Sequence, residues 1–216
     1  MKWLLFILCA LPAFAADAGA KPRVAATYFR NNSASDELGY FSKGLAALIT
    51  ADLADSGRVV ALDRERLEEV LAEKKLGETK YADKESFGKL ASILGVEYLV
   101  TGSITKIGKE TMIAVEIIHS DTHVVAGRKV KVDPDDVFGA VDQISKFAIE
   151  SVTVAKVESA PKKPSKLPFS TALKYAKALD AKDKKDPATA KTILAEVVKE
   201  QPDFQLAQLD LLALTR

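Results

Sequence analysis

Apolar positions recur along this chain with two periods, and the switches between them outline its elements. Arg23-Val24-Ala25-Ala26-Thr27-Tyr28-Phe29 is a short apolar run rich in aromatic and β-branched residues, closed by the polar loop Asn31 to Ser35, and predicts a strand and a loop. Leu38, Phe41, Leu45, Leu48, Ile49 and Leu53 then follow at three- and four-residue steps. That spacing predicts a helix capped by Asp36 and ended by Ser56-Gly57. Arg58 to Leu62 reads as a second strand, and Asp63 as the cap of a helix that buries Leu67, Val70 and Leu71. A third helix over Asp83 to Leu94 turns Phe87, Leu90, Ala91 and Leu94 inward, with Gly95 as its left-handed stop.

Three strands follow in quick succession, Val96 to Thr105, Met112 to His119 and Val124 to Val132, with connections short enough for antiparallel hairpins. Asp133-Pro134 opens a helix to about Val157, with Val137, Val141, Ile144, Phe147, Ala148 and Val152 on its buried stripe. The order β-α-β-α-α-β-β-β-α predicts an α/β (α+β) fold, a mixed sheet with helices packed on it. Beyond a proline- and lysine-rich linker, residues 158–168, lie helices over Phe169 to Ala181 and Pro187 to Gln201, and an apolar end from Phe204 to Leu214.

The amino terminus has a third pattern. Lys2 precedes an apolar core from Trp3 to Leu11, Pro12 interrupts it, and Ala13-Phe14-Ala15 is a small-x-small cleavage sequence. A membrane-spanning helix needs about 20 apolar residues, so this core is too short to be one. The segment 1–15 reads as a secretory signal peptide cleaved between Ala15 and Ala16. Cys9, the only cysteine, would be lost with it; Ile7-Leu8 before it are poor residues for lipoprotein processing. The mature chain therefore has no disulfide or thiol chemistry and relies on core burial. The domain organisation expected is a signal peptide at 1–15, an α/β domain at 16–157, the linker at 158–168 and a helical segment at 169–216.

Composition allows this. Of 216 residues, 48% are hydrophobic and 28% charged, enough apolar material for a sizeable core. The net charge of +1 argues against a nucleic-acid binder, which carries a basic excess. No later stretch is long and apolar enough to span a membrane as a helix.

Candidate chemistry is sparse. His119 and His123 flank a hairpin turn with Asp121 between them, but zinc needs four supported ligands and nothing else joins the set. Asp133, Asp135 and Asp136 lack the remaining ligands of a calcium loop and suit the positive start of a helix. No phosphate-cradling glycine loop, nucleophile elbow or zinc-protease helix occurs. The chain reads as non-enzymatic, with no catalytic residue, metal site or cofactor.

Two long blocks carry a family resemblance. VAATYFRNNSASDELGYFSKGLAALITADLADSGRVVALDRERLEEVLAE combines a strand, an Asn-rich loop, an S-K-G-L helix and an R-x-x-L-x-x-V-L helix. KLASILGVEYLVTGSITKIG runs from a helix through Gly95 into a strand. Together they resemble the curli-secretion components of the CsgG and HfaB type, related in fold to the amino-terminal domain of TolB and to flagellar and penicillin-binding-protein accessory lipoproteins. Most of this signature also has a folding role. Asp63 caps a helix, Glu65 and Glu68 suit its positive start, Arg64 and Arg66 are solvated or paired with those acids, and Gly102 makes room for a neighbouring backbone. The carboxyl-terminal segment resembles half to one tetratricopeptide unit plus the start of another, with Ala190, Leu194, Val197 and Pro202 at the spacing of the repeat's second helix. Lys174 and Lys177 stand where its first helix would have apolar residues. Stable arrays need about three units, so the segment must pack on the first domain, a partner or another copy. Phe204, Leu206, Leu209, Leu211 and Leu212 form the apolar face expected to meet that neighbour.

The resemblance implies a component of envelope assembly or secretion in the periplasm or at the outer membrane, acting through contacts with envelope proteins. Self-association into an oligomer is a further implied contact, and any membrane contact is indirect or through that oligomer. The short hairpins depart from channel subunits, whose membrane strands need about 9–11 alternating residues each. Two alternatives remain: a regulator of a cell-wall (penicillin-binding protein) synthase, and a subunit of an oligomeric secretion ring in the outer membrane.

Overall fold

The computed structural model describes residues 20–73, 84–121, 123–153 and 166–215. The expected signal peptide, with Cys9, Ala15 and Ala16, lies outside them, as does most of the expected linker.

Strand β1 is Arg23–Ala26 and β2 the two residues Arg30–Asn31. Helix α1 runs over Asp36–Asp55, β3 over Val60–Ala61, α2 over Arg64–Glu73 and α3 over Lys84–Leu94. The meander β4, β5 and β6 covers Tyr98–Ile107, Glu110–His119 and His123–Val132. Helices α4 to α7 are Val137–Val152, Phe169–Asp183, Pro187–Glu200 and Gln205–Ala213.

The sheet order is β3-β1-β4-β5-β6, with β2 pairing β4. β1 lies parallel to β3 and to β4, because α1 and then α2–α3 occupy the crossovers that parallel pairing requires. β4–β5 and β5–β6 are antiparallel hairpins. Gly108, at φ +62°, supplies the backbone of the first tight turn. The expected mixed sheet with packed helices, followed by a helical segment, is the fold observed.

Two glycines fix the centre. Gly95 sits at φ +65°, and the Val96 N–H donates to the Ala91 carbonyl at 3.0 Å, closing α3 as anticipated. At Gly102 a Cβ would lie 1.8 Å from the Ala114 backbone oxygen on β5, so only glycine fits. On one face of the sheet, Val100, Ile104, Ile113, Val115 and Ile117 meet α1 and α4. On the other, Ala25, Leu99 and Ile118 meet Leu67, Val70, Leu71, Leu90 and Leu94 of α2 and α3.

Several boundaries differ from the sequence reading. β1 stops at Ala26, although the Thr27 N–H still donates to the Val100 carbonyl at 2.9 Å. Phe29 then turns into the core and its carbonyl accepts from Ser42 Oγ at 2.7 Å. β3 is only two residues long and lies at the edge of the sheet beside β1. Ser35, not Asp36, precedes α1. α4 starts at Val137: Asp136 caps it by accepting from the Gly139 N–H, while Asp133 and Asp136 form a bridge ahead of the helix.

The chain re-enters the described structure beside the start of α4. The Val137 N–H donates to the Leu167 carbonyl at 2.7 Å, and the Phe169 N–H to the Pro134 carbonyl at 2.8 Å. α5 then lies along α1, and its buried residues join the core of the α/β unit. Of the three neighbours considered for the carboxyl-terminal segment, the first domain receives it.

Candidate functional site

A group of paired polar side chains lies where α5 and α7 meet α1 and the start of α2. It begins in the S-K-G-L block. Ser42 ties α1 to the Phe29 carbonyl, Lys43 reaches α5, and Gly44 lets α5 approach so closely that a Cβ there would stand 2.8 Å from the Ala176 Cβ. Lys43 Nζ is 2.9 Å from Asp180 Oδ1 and 3.5 Å from Asp183 Oδ2, and lies 5.7 Å from the centre of the Tyr28 ring. Arg64, at the first position of α2, donates from Nη1 to both Asp183 oxygens at 2.9 and 3.0 Å. The same nitrogen is 3.8 Å from Glu68, which also accepts a hydrogen bond from the Tyr28 hydroxyl. Arg64 is 7% exposed, so this pairing takes place out of solvent.

Alongside is a cleft of about 250 Å³, walled by Ala47, Ala51 and Ala54 of α1, Leu179 of α5 and Leu206 of α7. Its charged groups satisfy one another. Lys182 Nζ lies 2.6 Å from Glu65 and 3.1 Å from Asp210, and the buried Tyr175 hydroxyl donates to Asp210 at 2.8 Å. Burial, and then the Asp210 charge, push the Tyr175 phenol well above its ordinary value. The hydrogen bond from Lys182 holds Glu65 below the usual carboxylate range. Burial works against ionisation of Asp180, but hydrogen bonds from Lys184 and Lys43 outweigh it and hold the group low. The charged form is favoured at Glu65, Asp180 and Lys182, and the neutral phenol at Tyr175, where it donates to Asp210.

The residues expected to form a partner face separate here. Phe204 is buried, its ring edge-on to Phe138 at 5.7 Å and to Tyr175 at 4.9 Å, so it is core rather than surface. It turns inward because it precedes α7, where the chain folds back over α5 and α4. Leu206 and Leu211 are half-buried against the same core. Leu209 and Leu212 remain outward, at 63% and 50% exposed. Ala15 and Ala16 lie outside the described residues.

The other candidates find local explanations. His119 packs its ring against Tyr98 at 4.9 Å and accepts from the Asp121 N–H at 3.1 Å. Asp133 accepts from the Asp135 N–H, a turn before α4. Among the described residues no three His, Cys, Asp or Glu side chains gather as a metal set, and no helix is long and apolar enough to cross a membrane. Arg66 pairs with Glu69 on the surface, whereas Arg64 is buried and its main partner, Asp183, stands 119 residues away. The available sequence signal was the strong basic residue at the very start of a helix, where the dipole disfavours it.

No curated protein matches the chain. Lipoprotein GNA1162 from Neisseria meningitidis is 14% identical, with 51% of this chain and 79% of that one covered and a TM-score of 0.44. TolB from Acinetobacter baumannii is 15% identical over 64% of this chain and 30% of that one, with a TM-score of 0.43. The LpoB carboxyl-terminal domain from Escherichia coli is 14% identical over 56% and 89%, with a TM-score of 0.38. The family model for the curli production assembly/transport component CsgG matches residues 13–114. That segment takes in β1 to β4, α1 to α3 and the first half of β5, and it is similar to the CsgG family over that length.

Proposed function

We infer that this protein is a non-enzymatic component of bacterial envelope assembly or secretion, working in the periplasm or at the outer membrane through protein contacts. The CsgG-family match over residues 13–114 carries the reading. The amino-terminal pattern Lys2, Trp3 to Leu11 and Ala13-Phe14-Ala15 supports export. The self-satisfied polar junction supports a scaffold, since its charged groups are engaged with one another rather than presented to a substrate.

In-cell crosslinking of the full chain after osmotic-shock fractionation tests this. The expected result is a mature chain beginning at Ala16, recovered from the periplasm or outer membrane and linked to envelope proteins. Recovery in the cytoplasm with an intact amino terminus would overturn it.

A further inference from the structure

β6 is the last strand of the sheet, and among the described residues no strand pairs with its outer edge. At ten residues it is long for an edge. Natural proteins usually shorten, bend or charge such edges, because unpaired N–H and C=O groups template another strand. Here the bend is confined to one end. Ile117 pairs with Ala126 and Ile118 with Val124, which leaves Val125 bulged. From Gly127 to Val132 the pairing with β5 is uninterrupted, so the outer backbone there is a regular extended template.

That stretch is strongly cationic. Gly127, Arg128, Lys129 and Lys131 are exposed, and β6 contains no acidic residue. Lys131 pairs with Glu110 on β5. Among the described residues no ion pair engages Arg128 or Lys129, although Glu116 stands opposite Gly127. Cations on an edge discourage pairing with a like strand: a second copy's β6 would set Lys and Arg beside Lys and Arg. The same charges favour a strand of opposite sign.

We propose that the β6 edge from Gly127 to Val132 is a docking site for an extended acidic segment of a partner protein, added as a further strand. Backbone hydrogen bonds supply its affinity, and carboxylates on alternate residues, facing Lys129 and Lys131, supply its selectivity. The proposal rests on the protein-contact reading above for its setting only. Peptide binding in solution tests the edge, and fractionation tests the location, so either can fail alone.

The test titrates the full mature chain into a fluorescein-labelled peptide of alternating Glu and Val and follows anisotropy. Binding that weakens with salt is expected, with no binding by the Lys–Val counterpart. R128E/K129E should weaken it by about tenfold or more, while circular dichroism shows an unchanged fold. A Glu–Val peptide N-methylated at alternate residues keeps its charge but cannot form the ladder, and should not bind. Equal binding of the N-methylated and parent peptides would overturn the proposal, as would binding unaffected by R128E/K129E. If that variant misfolds, the N-methyl comparison on the unmodified chain still decides.

Discussion

Arg64 and Asp183 join the two parts of this chain: the guanidinium at the start of α2 donates to both oxygens of the carboxylate that ends α5, at 2.9 and 3.0 Å. Their side chains are 8% and 12% exposed, so neither is well hydrated when its partner is lost. Asp183→Ala leaves a buried cation and should cost about 3 kcal/mol in urea unfolding. Glu69→Ala removes an exposed partner from Arg66 and should stay within about 0.5 kcal/mol. Equal effects of the two substitutions would mean that burial does not set the strength of the junction.

The helix contact beside it is tested by two glycines of α1. Gly44 has no room for a methyl group, because the obstacle is the Ala176 Cβ, fixed to its own helix 2.8 Å away. Gly44→Ala should therefore destabilise by about 1–3 kcal/mol through overpacking. Gly39 has nothing within 4 Å of its virtual Cβ. Gly39→Ala should stabilise by about 0.5–1 kcal/mol, since alanine loses less backbone entropy in a helix. Thermal unfolding of both variants should show midpoints that move in opposite directions.

Acid should weaken the same junction. Asp180 has its carboxyl held below the ordinary 3.8, burial being outweighed by the Lys184 and Lys43 hydrogen bonds. The unfolded chain then takes up a proton at a higher pH than the folded one, so stability rises with pH across that window. The contribution is complete above about pH 5 and is lost as pH falls through the folded value. Glu65, held below 4.5 chiefly by its hydrogen bond from Lys182, acts in the same direction. Asp180→Asn should flatten the acid limb of a stability–pH curve, measured by denaturant midpoints. An unchanged slope would show that Asp180 does not couple protonation to folding.

Much of the α/β unit was legible in the sequence because its cues are local. Helical spacing placed Leu38, Phe41, Leu45, Leu48, Ile49 and Leu53 inside, and all six are buried. Gly95 and Gly102 announced backbone demands that the structure displays. The junction was not legible, because its pairs join residues far apart: Lys43 with Asp180, Arg64 with Asp183, Glu65 with Lys182. Lys174 and Lys177 misled in the opposite sense. α5 buries Ala172, Tyr175, Ala176 and Leu179 between α1 and the later helices, while Lys174 pairs with Glu200 and Lys177 sits 5.9 Å from the Tyr40 ring centre. The apolar end has the sequence pattern of a single face, yet the turn before α7 divides it between core and solvent.

That division gives the last prediction. Phe204 packs against Phe138 and Tyr175, and Phe204→Ala should cost about 3–5 kcal/mol as a large core truncation. Leu209 and Leu212 project outward, so L209Q/L212Q should leave unfolding within about 0.5 kcal/mol of the parent. If these two leucines contact an envelope protein, the double variant should lose crosslinked species in cells while its periplasmic level stays constant. Unchanged crosslinking with unchanged stability would remove α7 as a contact surface. Destabilisation as large as that of Phe204→Ala would instead place both leucines in a packed interface of the free chain, contrary to their exposure.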